Sequence, residues 1–405
     1  MSELTFDGLR AAVGGGAVAL RSLTTLQPAG GSGDKVFPPT YAVAQSAEHR
    51  YAVEERVVGD EVKTTVLLDS VASQANRAEM ALLEGWESHA LGFPVPFVDF
   101  TVDDELSDLG RLTVLEAPHR IADAIFRDSL LDSTLFRLSD VGRAITNASP
   151  LDATALFRYS PTALLFGVWD STGPKGGLGS KFQRAYVSEI VGLDARIGKK
   201  VGSRIDPLQI GRGAAVAFEH ADAERHWTLD ESEAAREKGE PKTKGDGKPS
   251  EINHGNVTPF IDSLSGGVTI TSAIQTTVIS LAALRRLRFA GHDRSTETAA
   301  RVAVAALGVA AIAYQHEMDY DLRSRCLLVP EHPPRIELVG RDGSAPEVVA
   351  IDRSSAAGIL DAAAERAADS GIGWESDEIR LVPAPKLVEL IKRSRQVSAL
   401  EQPSE

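Results

Sequence analysis

The stretch from residue 221 to 250 sets the strongest limit on the fold. It is dense in charge and holds almost no large apolar residue after Trp227 and Leu229. It ends in Lys242-Thr243-Lys244-Gly245-Asp246-Gly247-Lys248-Pro249-Ser250. No packed core can be built from such a segment, so it must protrude as a loop or arm. The flanking chain is better supplied. Of the 405 residues, 43% are apolar, which excludes global disorder and allows a sizeable core. That length suits one large elaborated domain or two to three ordinary ones.

Strands and helices alternate around the arm. Residues 50–58 and 62–68 read as a hairpin joined through Gly59-Asp60-Glu61. A helix is expected over 70–83, with Asp69 and Ser70 as capping candidates. Residues 121–131 read as a helix, 162–169 as a buried strand, and 182–191 as a helix. Beyond the arm, 266–287 has strand and then helix character, and 296–313 is a long Ala-rich helix. Short strands at 335–339 and 379–382 alternate with helices at 356–368 and 385–393. Residues 11–35, rich in Gly, Ala and Ser, read as a flexible loop. No strand–Gly-x-Gly-x-x-Gly–helix unit occurs. The expectation is an α+β sheet with helices on one face and long insertions.

The single cysteine, Cys326, rules out an intramolecular disulfide and a cysteine-rich zinc site, and suits a reducing cytoplasm. The N-terminal residues carry acids where a signal peptide carries Lys or Arg, and the apolar run 302–314 is short for a membrane span. A cytoplasmic location is therefore expected. The net charge of -14 argues against a nucleic-acid partner in bulk, but phosphate binding needs only a local basic stripe.

Such a stripe exists. From Lys175 to Arg204, the seven basic residues Lys175, Lys181, Arg184, Arg196, Lys199, Lys200 and Arg204 stand against Glu189 and Asp194, a net of +5. It begins in a glycine-rich loop, Asp170-Ser171-Thr172-Gly173-Pro174-Lys175-Gly176-Gly177-Leu178-Gly179-Ser180-Lys181. Backbone N–H groups in such a loop can cradle phosphate. The P-loop spacing fails, because Lys181 follows Gly176 by five places with Ser180 before it. On the 70–83 helix, Ser73, Gln74, Asn76 and Arg77 offer groups suited to sugar and phosphate. His119, Arg120 and Arg127 mix with Asp123 and Asp128. Capping, pairing of Asp123 with Arg127 and RNA contact all fit there better than acid–base catalysis. Arg285-Arg286-Leu287-Arg288 reads as the cationic end of a helix begun near Gln275. His254 and His316-Glu317 lack partners at ligand spacing, so no metal site and no cofactor are expected.

Five strings in this order resemble a known family. They are Lys35-Val36-Phe37-Pro38-Pro39-Thr40-Tyr41, Ser73-Gln74-Ala75-Asn76-Arg77, the run from Ser160 to Arg184, Ser203-Arg204-Ile205-Asp206-Pro207-Leu208, and Lys248-Pro249-Ser250-Glu251-Ile252-Asn253-His254-Gly255-Asn256. They are similar to the Csb-type, Cas-seven-like RAMP backbone protein of type I-G (formerly I-U) CRISPR systems. The resemblance covers about residues 35–290. It implies an RRM-like (ferredoxin-like) palm from 36–215 and 256–405, a finger or thumb insertion at 216–255, and a flexible segment at 1–35. It also implies a non-enzymatic role: copies line up along CRISPR RNA and support its pairing with target DNA. Partners would be a fused Cas-five/Cas-six-like subunit, a Cas-eight-like large subunit and a Cas-three helicase-nuclease. RNA contacts would fall on Lys35, Ser73, Gln74, Asn76, Arg77, His119, Arg120, Arg127, Lys175, Lys181, Arg184, Arg204, Lys248, Asn253, His254 and Asn256. Two alternatives stay open. One is a metal-dependent RNase using Asp170 or Asp206, and the other is a nucleotide-binding enzyme using the 171–181 loop.

Overall fold

The computed structural model describes residues 2–173 and 179–401. The chain divides into two compact units. One comprises Met1–Tyr41, Tyr51–Arg196 and Val268–Pro385; the other comprises Ala42–Arg50, Ile197–Gly267 and Lys386–Glu405.

In the first unit, a short helix α1 (Phe6–Ala11) leads through a glycine turn, with Gly15 at φ 146°, into strand β1 (Ala17–Pro28). Strands β2 (Val53–Val58) and β3 (Glu61–Asp69) form the expected hairpin, and Gly59 supplies the positive φ of its turn. Helix α2 (Val71–Glu87) follows, capped where Ser70 accepts from the Ser73 N–H. Strands β4 (Tyr186–Leu193) and β5 (Ala273–Ser280) come next, then helix α3 (Arg294–His316). Strand β6 (Arg335–Gly340), strand β7 (Glu347–Ala350) and helix α4 (Arg353–Asp369) follow.

The main sheet runs in the order Ser2–Glu3, β7, β6, β1, β5, β4, β3, β2, with Leu327–Pro330 also pairing to β1. Every pairing is antiparallel except that of Ser2–Glu3 with β7. Helix α3 packs against α2 and α4 and touches β5. It is apolar on all sides and buried along almost its whole length, as a core helix must be. Alanine lets it lie close to its neighbours; a side chain at Gly308 would run into Ile279 of β5. A second sheet joins Arg111–Thr113, Phe97–Asp99, Arg380–Pro383, Ser129–Leu131 and Thr134–Leu135.

Several expectations are corrected. Residues 1–35 are not a flexible segment: β1 is a central strand with partners on both edges. Its inward positions include Ser22 and Thr24 beside Leu20 and Leu26, so small polar residues mask the alternation. The apolar run 162–169 is a buried helix, Thr162–Phe166, followed by the two-residue strand Val168–Trp169. Gly167, at φ 81°, makes the break. Residues 182–191 hold no helix: Phe182 ends the short strand Lys181–Phe182 and 186–191 lie in β4, in keeping with their aromatic and β-branched content. Residues 121–131 split into a one-turn helix, Ala124–Arg127, and a strand, Ser129–Leu131. The helix placed from Gln275 onward is β5, followed by a four-residue helix, Leu281–Leu284. Arg285 then donates to the carbonyls of Ala12 and Val13.

The second unit is wider than the charged arm. Its stem is an antiparallel pair, Lys200–Arg204 with Val257–Asp262. Phe218–Glu219 with Trp227–Thr228 and Arg236–Glu237 with Glu240–Pro241 are two-residue ladders within it. The stem escaped notice because its apolar residues face outward: Val201 is 78% exposed and its cross-strand partner Ile261 is 67% exposed.

Asp69, at the end of β3, has no exposed surface. Its carboxylate accepts from Ser73 Oγ at 2.8 Å, Gln74 Nε2 at 2.6 Å, Arg77 Nε at 2.9 Å and Arg323 Nη2 at 3.0 Å. Gln74 Oε1 in turn accepts from Ser188 of β4, Gln275 of β5 and Gln315 of α3. Removing the hub strands the four donors that meet it. Asp69→Ala is expected to lower the unfolding free energy by about 3–5 kcal/mol in urea titration, with loss of cooperativity if the network sets the α2–sheet register.

Candidate nucleic-acid interface

The run from Ser160 to Arg184 folds into a buried base and an exposed hairpin. Helix Thr162–Phe166 is wholly buried. Val168 then pairs with Phe182, and Trp169 with Lys181. Gly167 lets the two strands close: a Cβ there would stand 3.0 Å from the Arg184 nitrogen and the Phe182 carbonyl oxygen. The Asp170 N–H donates to the Ser180 carbonyl at 2.9 Å and shuts the base of the glycine-rich loop. Lys175, within that loop, lies outside the described residues.

The outer face of this hairpin carries the chemistry. Trp169 is 58% exposed, and the ammonium of Lys181 sits 4.9 Å from its ring centre. Gln183 and Arg184 follow as exposed residues, with the Arg184 guanidinium partly buried within the field of Arg120 and Glu79. Arg184 makes no hydrogen bond or ion pair among the described residues. Its guanidinium is held below its ordinary pKa, first by burial and then by the like charge of Arg120. The exposed indole was missed in the sequence. An aromatic residue set directly before a glycine-rich loop was the available signal. Arg137 was missed as well, and its position gave none. It donates to both carboxylate oxygens of Asp170 at 2.8 Å and to the Thr172 carbonyl at 2.8 Å, so it pins the loop from below.

Behind the hairpin lies a buried ion pair. Arg120 donates to both oxygens of Glu79, at 2.6 and 2.8 Å, and its guanidinium faces the Phe166 ring at 5.6 Å. It also reaches the Gly167 carbonyl at 3.3 Å. Burial pushes Glu79 up to about 7, against the pull of Arg120.

The structure therefore sorts the expected contact residues by burial. Gln74, 1% exposed, and Arg120 are corrected to interior groups, because every polar atom they offer is taken up inside the fold. Ser73 and Arg77 are partly buried and bonded to Asp69, and Arg77 also donates to the Leu322 carbonyl. Asn76 and His119 are exposed. Arg127 pairs with Asp128 at 2.6 Å rather than with Asp123, which instead caps the Ala124–Arg127 turn. Lys35 is half-buried on a two-residue strand opposite Thr269.

In the second unit, two of the sequence strings meet. Arg204 donates to the carbonyls of Gly255 and His254 at 3.1 Å each, and reaches Asn253 Oδ1 at 3.4 Å. Asn256 accepts from the Asp206 N–H at 2.7 Å. Asp206 accepts from the backbones of Leu208, Ile210 and Gly255. Burial works upward on Asp206, but these N–H groups outweigh it and hold the carboxyl below its usual range. Lys248 pairs with Asp246, and the His254 ring lies 6.2 Å from Trp227. Arg204, Asn253 and Asn256 thus brace this unit internally. The basic stripe is divided: Lys181 and Arg184 belong to the first unit, Lys199, Lys200 and Arg204 to the second.

The Glu79 pair makes a pH test. An acid whose folded pKa lies above its unfolded value of about 4.5 stabilises the fold below that value. The contribution is lost as pH rises through about 7. Glu79→Gln mimics the protonated acid that the fold holds below about pH 7, so its unfolding free energy should lie near that of wild type at pH 5 and fall less steeply between pH 5 and 7. Parallel slopes in urea titrations across that window would refute the assignment.

Comparison with known proteins gives one family match: residues 20–197 are similar to the family described as CRISPR-associated protein GSU0053 (Cas_GSU0053). No curated protein matches. Among solved structures, a chain of a "CRISPR RNA-guided surveillance complex, pre-nicking" aligns over 93% of this chain and 98% of its own. Identity is 12% and the TM-score 0.27, a level that carries no argument about fold or function. The family match spans the hairpin and its buried support, from Glu79 through Arg184.

Proposed function

We propose that this chain is a CRISPR RNA-binding backbone subunit of a type I surveillance complex, of the Csb-type in type I-G systems. The observation that carries the reading is the match of residues 20–197 to a CRISPR-associated family, because that span contains the exposed Trp169–Lys181 pair and the neighbouring Arg184. A solvent-facing indole offers a stacking platform for a base, and two adjacent cations suit the phosphates on either side. Guide sequence is then left to base pairing, as in RNA-guided complexes generally.

An RRM-like palm is part of the proposal. What supports it is connectivity. The central strands lie in the order β6-β1-β5-β4, with α2 between β1 and β4 in sequence and α3 between β5 and β6. Taken in chain order as strands one to four, that is the 4-1-3-2 arrangement of a βαββαβ unit. Further copies of the chain, the large subunit, the fused subunit and the helicase-nuclease remain proposed partners on the resemblance alone. The RNase reading is less well supported: the Asp170 oxygens are both engaged by Arg137, and those of Asp206 by backbone N–H groups.

Binding of CRISPR RNA, measured with the partner subunits present over a salt series, tests this. Lys181→Ala and Arg184→Ala should each weaken binding to all sequences alike and lower the salt slope by about one. Trp169→Ala should cost about 1–3 kcal/mol, with little change in slope. Effects confined to particular RNA sequences, or no association with RNA at all, would overturn the proposal.

A further inference from the structure

A groove in the first unit, away from the residues assigned to RNA, has its own chemistry. Its cavity of about 570 Å³ is lined by Trp86, Phe93, Pro94 and Trp374, with Asp361 and Glu375 among the lining residues. Trp86 comes from the last turn of α2, Asp361 from α4, and Trp374 and Glu375 from the segment after α4. The wall between α2 and Phe93 is shaped by an unusual backbone. His89 takes φ 58°, and the N–H groups of Ala90 and Leu91 both return to the Gly85 carbonyl. Glycine would adopt that conformation at no steric cost, so keeping histidine there places an imidazole at the groove. Glu375 is held by Arg158 at 2.8 Å. Asp361 is exposed and makes no hydrogen bond or ion pair among the described residues.

We propose that this groove docks an extended, proline-rich, arginine-bearing segment of a partner protein. The half-buried indoles of Trp86 and Trp374 offer the kind of aromatic surface on which polyproline II segments lie, while Phe93 and Pro94 at the same groove are buried. Indole faces also attract guanidinium groups. The unpaired carboxylate of Asp361 supplies the charge complement, and it would repel a phosphate backbone, which disfavours RNA as the occupant. The volume suits two or three side chains rather than a whole element.

The test uses full-length protein and a fluorescein-labelled peptide, Ala-Pro-Pro-Arg-Pro-Pro-Arg-Ala, followed by fluorescence anisotropy. A matched peptide with glutamate replacing both arginines serves as control. The arginine peptide should bind at least about ten-fold more tightly than the control. Asp361→Lys and Trp86→Ala should each weaken it by about ten-fold, with circular dichroism showing both variants folded. Glu347→Lys, which reverses an exposed acid elsewhere, should leave binding unchanged. Equal losses for Asp361→Lys and Glu347→Lys would reduce the effect to general attraction by a chain of net charge -14 and overturn the proposal. Absence of peptide binding, or loss of RNA binding in Asp361→Lys with peptide binding intact, would also overturn it.

Discussion

A carboxylate with no access to water has to be met by donors from every side, and Asp69 is met by four side chains. Three of them lie on the first two turns of α2, so the charge at the strand end fixes how that helix leaves the sheet. The fourth, Arg323, arrives from the far end of the chain and ties the segment after α3 to the same point. Gln74 extends the constraint inward. Its amide donates to Asp69 while its oxygen collects donors from β4, β5 and α3. One buried charge therefore orients the helix layer over the centre of the sheet. The network is not fully satisfied: Arg323 Nη1 is buried without a hydrogen-bond partner among the described residues and carries its own desolvation penalty.

The same economy of charge separates two classes of cation in this molecule. Arg77, Arg120, Arg137, Arg204 and Arg323 hold carboxylates or carbonyls and so act as framework. Lys181 and Arg184 stand on a hairpin that those framework contacts support from behind. An acidic protein can in this way present a locally basic, aromatic face. Several of its acids are neutralised: Glu189 by Arg56 and Asp194 by Lys63 in the first unit, and Asp262 by Lys200 in the second.

The sequence made some of this legible. The β2–β3 hairpin, the Ser70 cap of α2 and the alanine-rich α3 follow from turn chemistry, capping and apolar content, and they stand as read. What failed did so for physical reasons. Buried serine and threonine hid the alternation of β1. Apolar residues 162–166 carry no period that separates a buried strand from a buried helix, and Gly167 decides the matter through its positive φ. At the candidate interface, residue type alone could not tell Gln74 and Arg120 from Lys181 and Arg184. Both pairs look suited to RNA, and the distinction lies in which of them finds partners far away in sequence. Trp169 was passed over because a lone tryptophan at the end of an apolar run reads as core.

The central position of β1 has a consequence for how the chain reaches its fold. Leu20 pairs with Ile279 on one edge and with Leu338 on the other. Strand β1 is thus made well before β5 and β6 and waits for both. Loop closure over such separations is slow, and a nascent chain with an unpaired central strand exposes two sticky edges meanwhile. Slow closure of this sheet makes the nascent chain dependent on protection of those edges until β5 and β6 arrive.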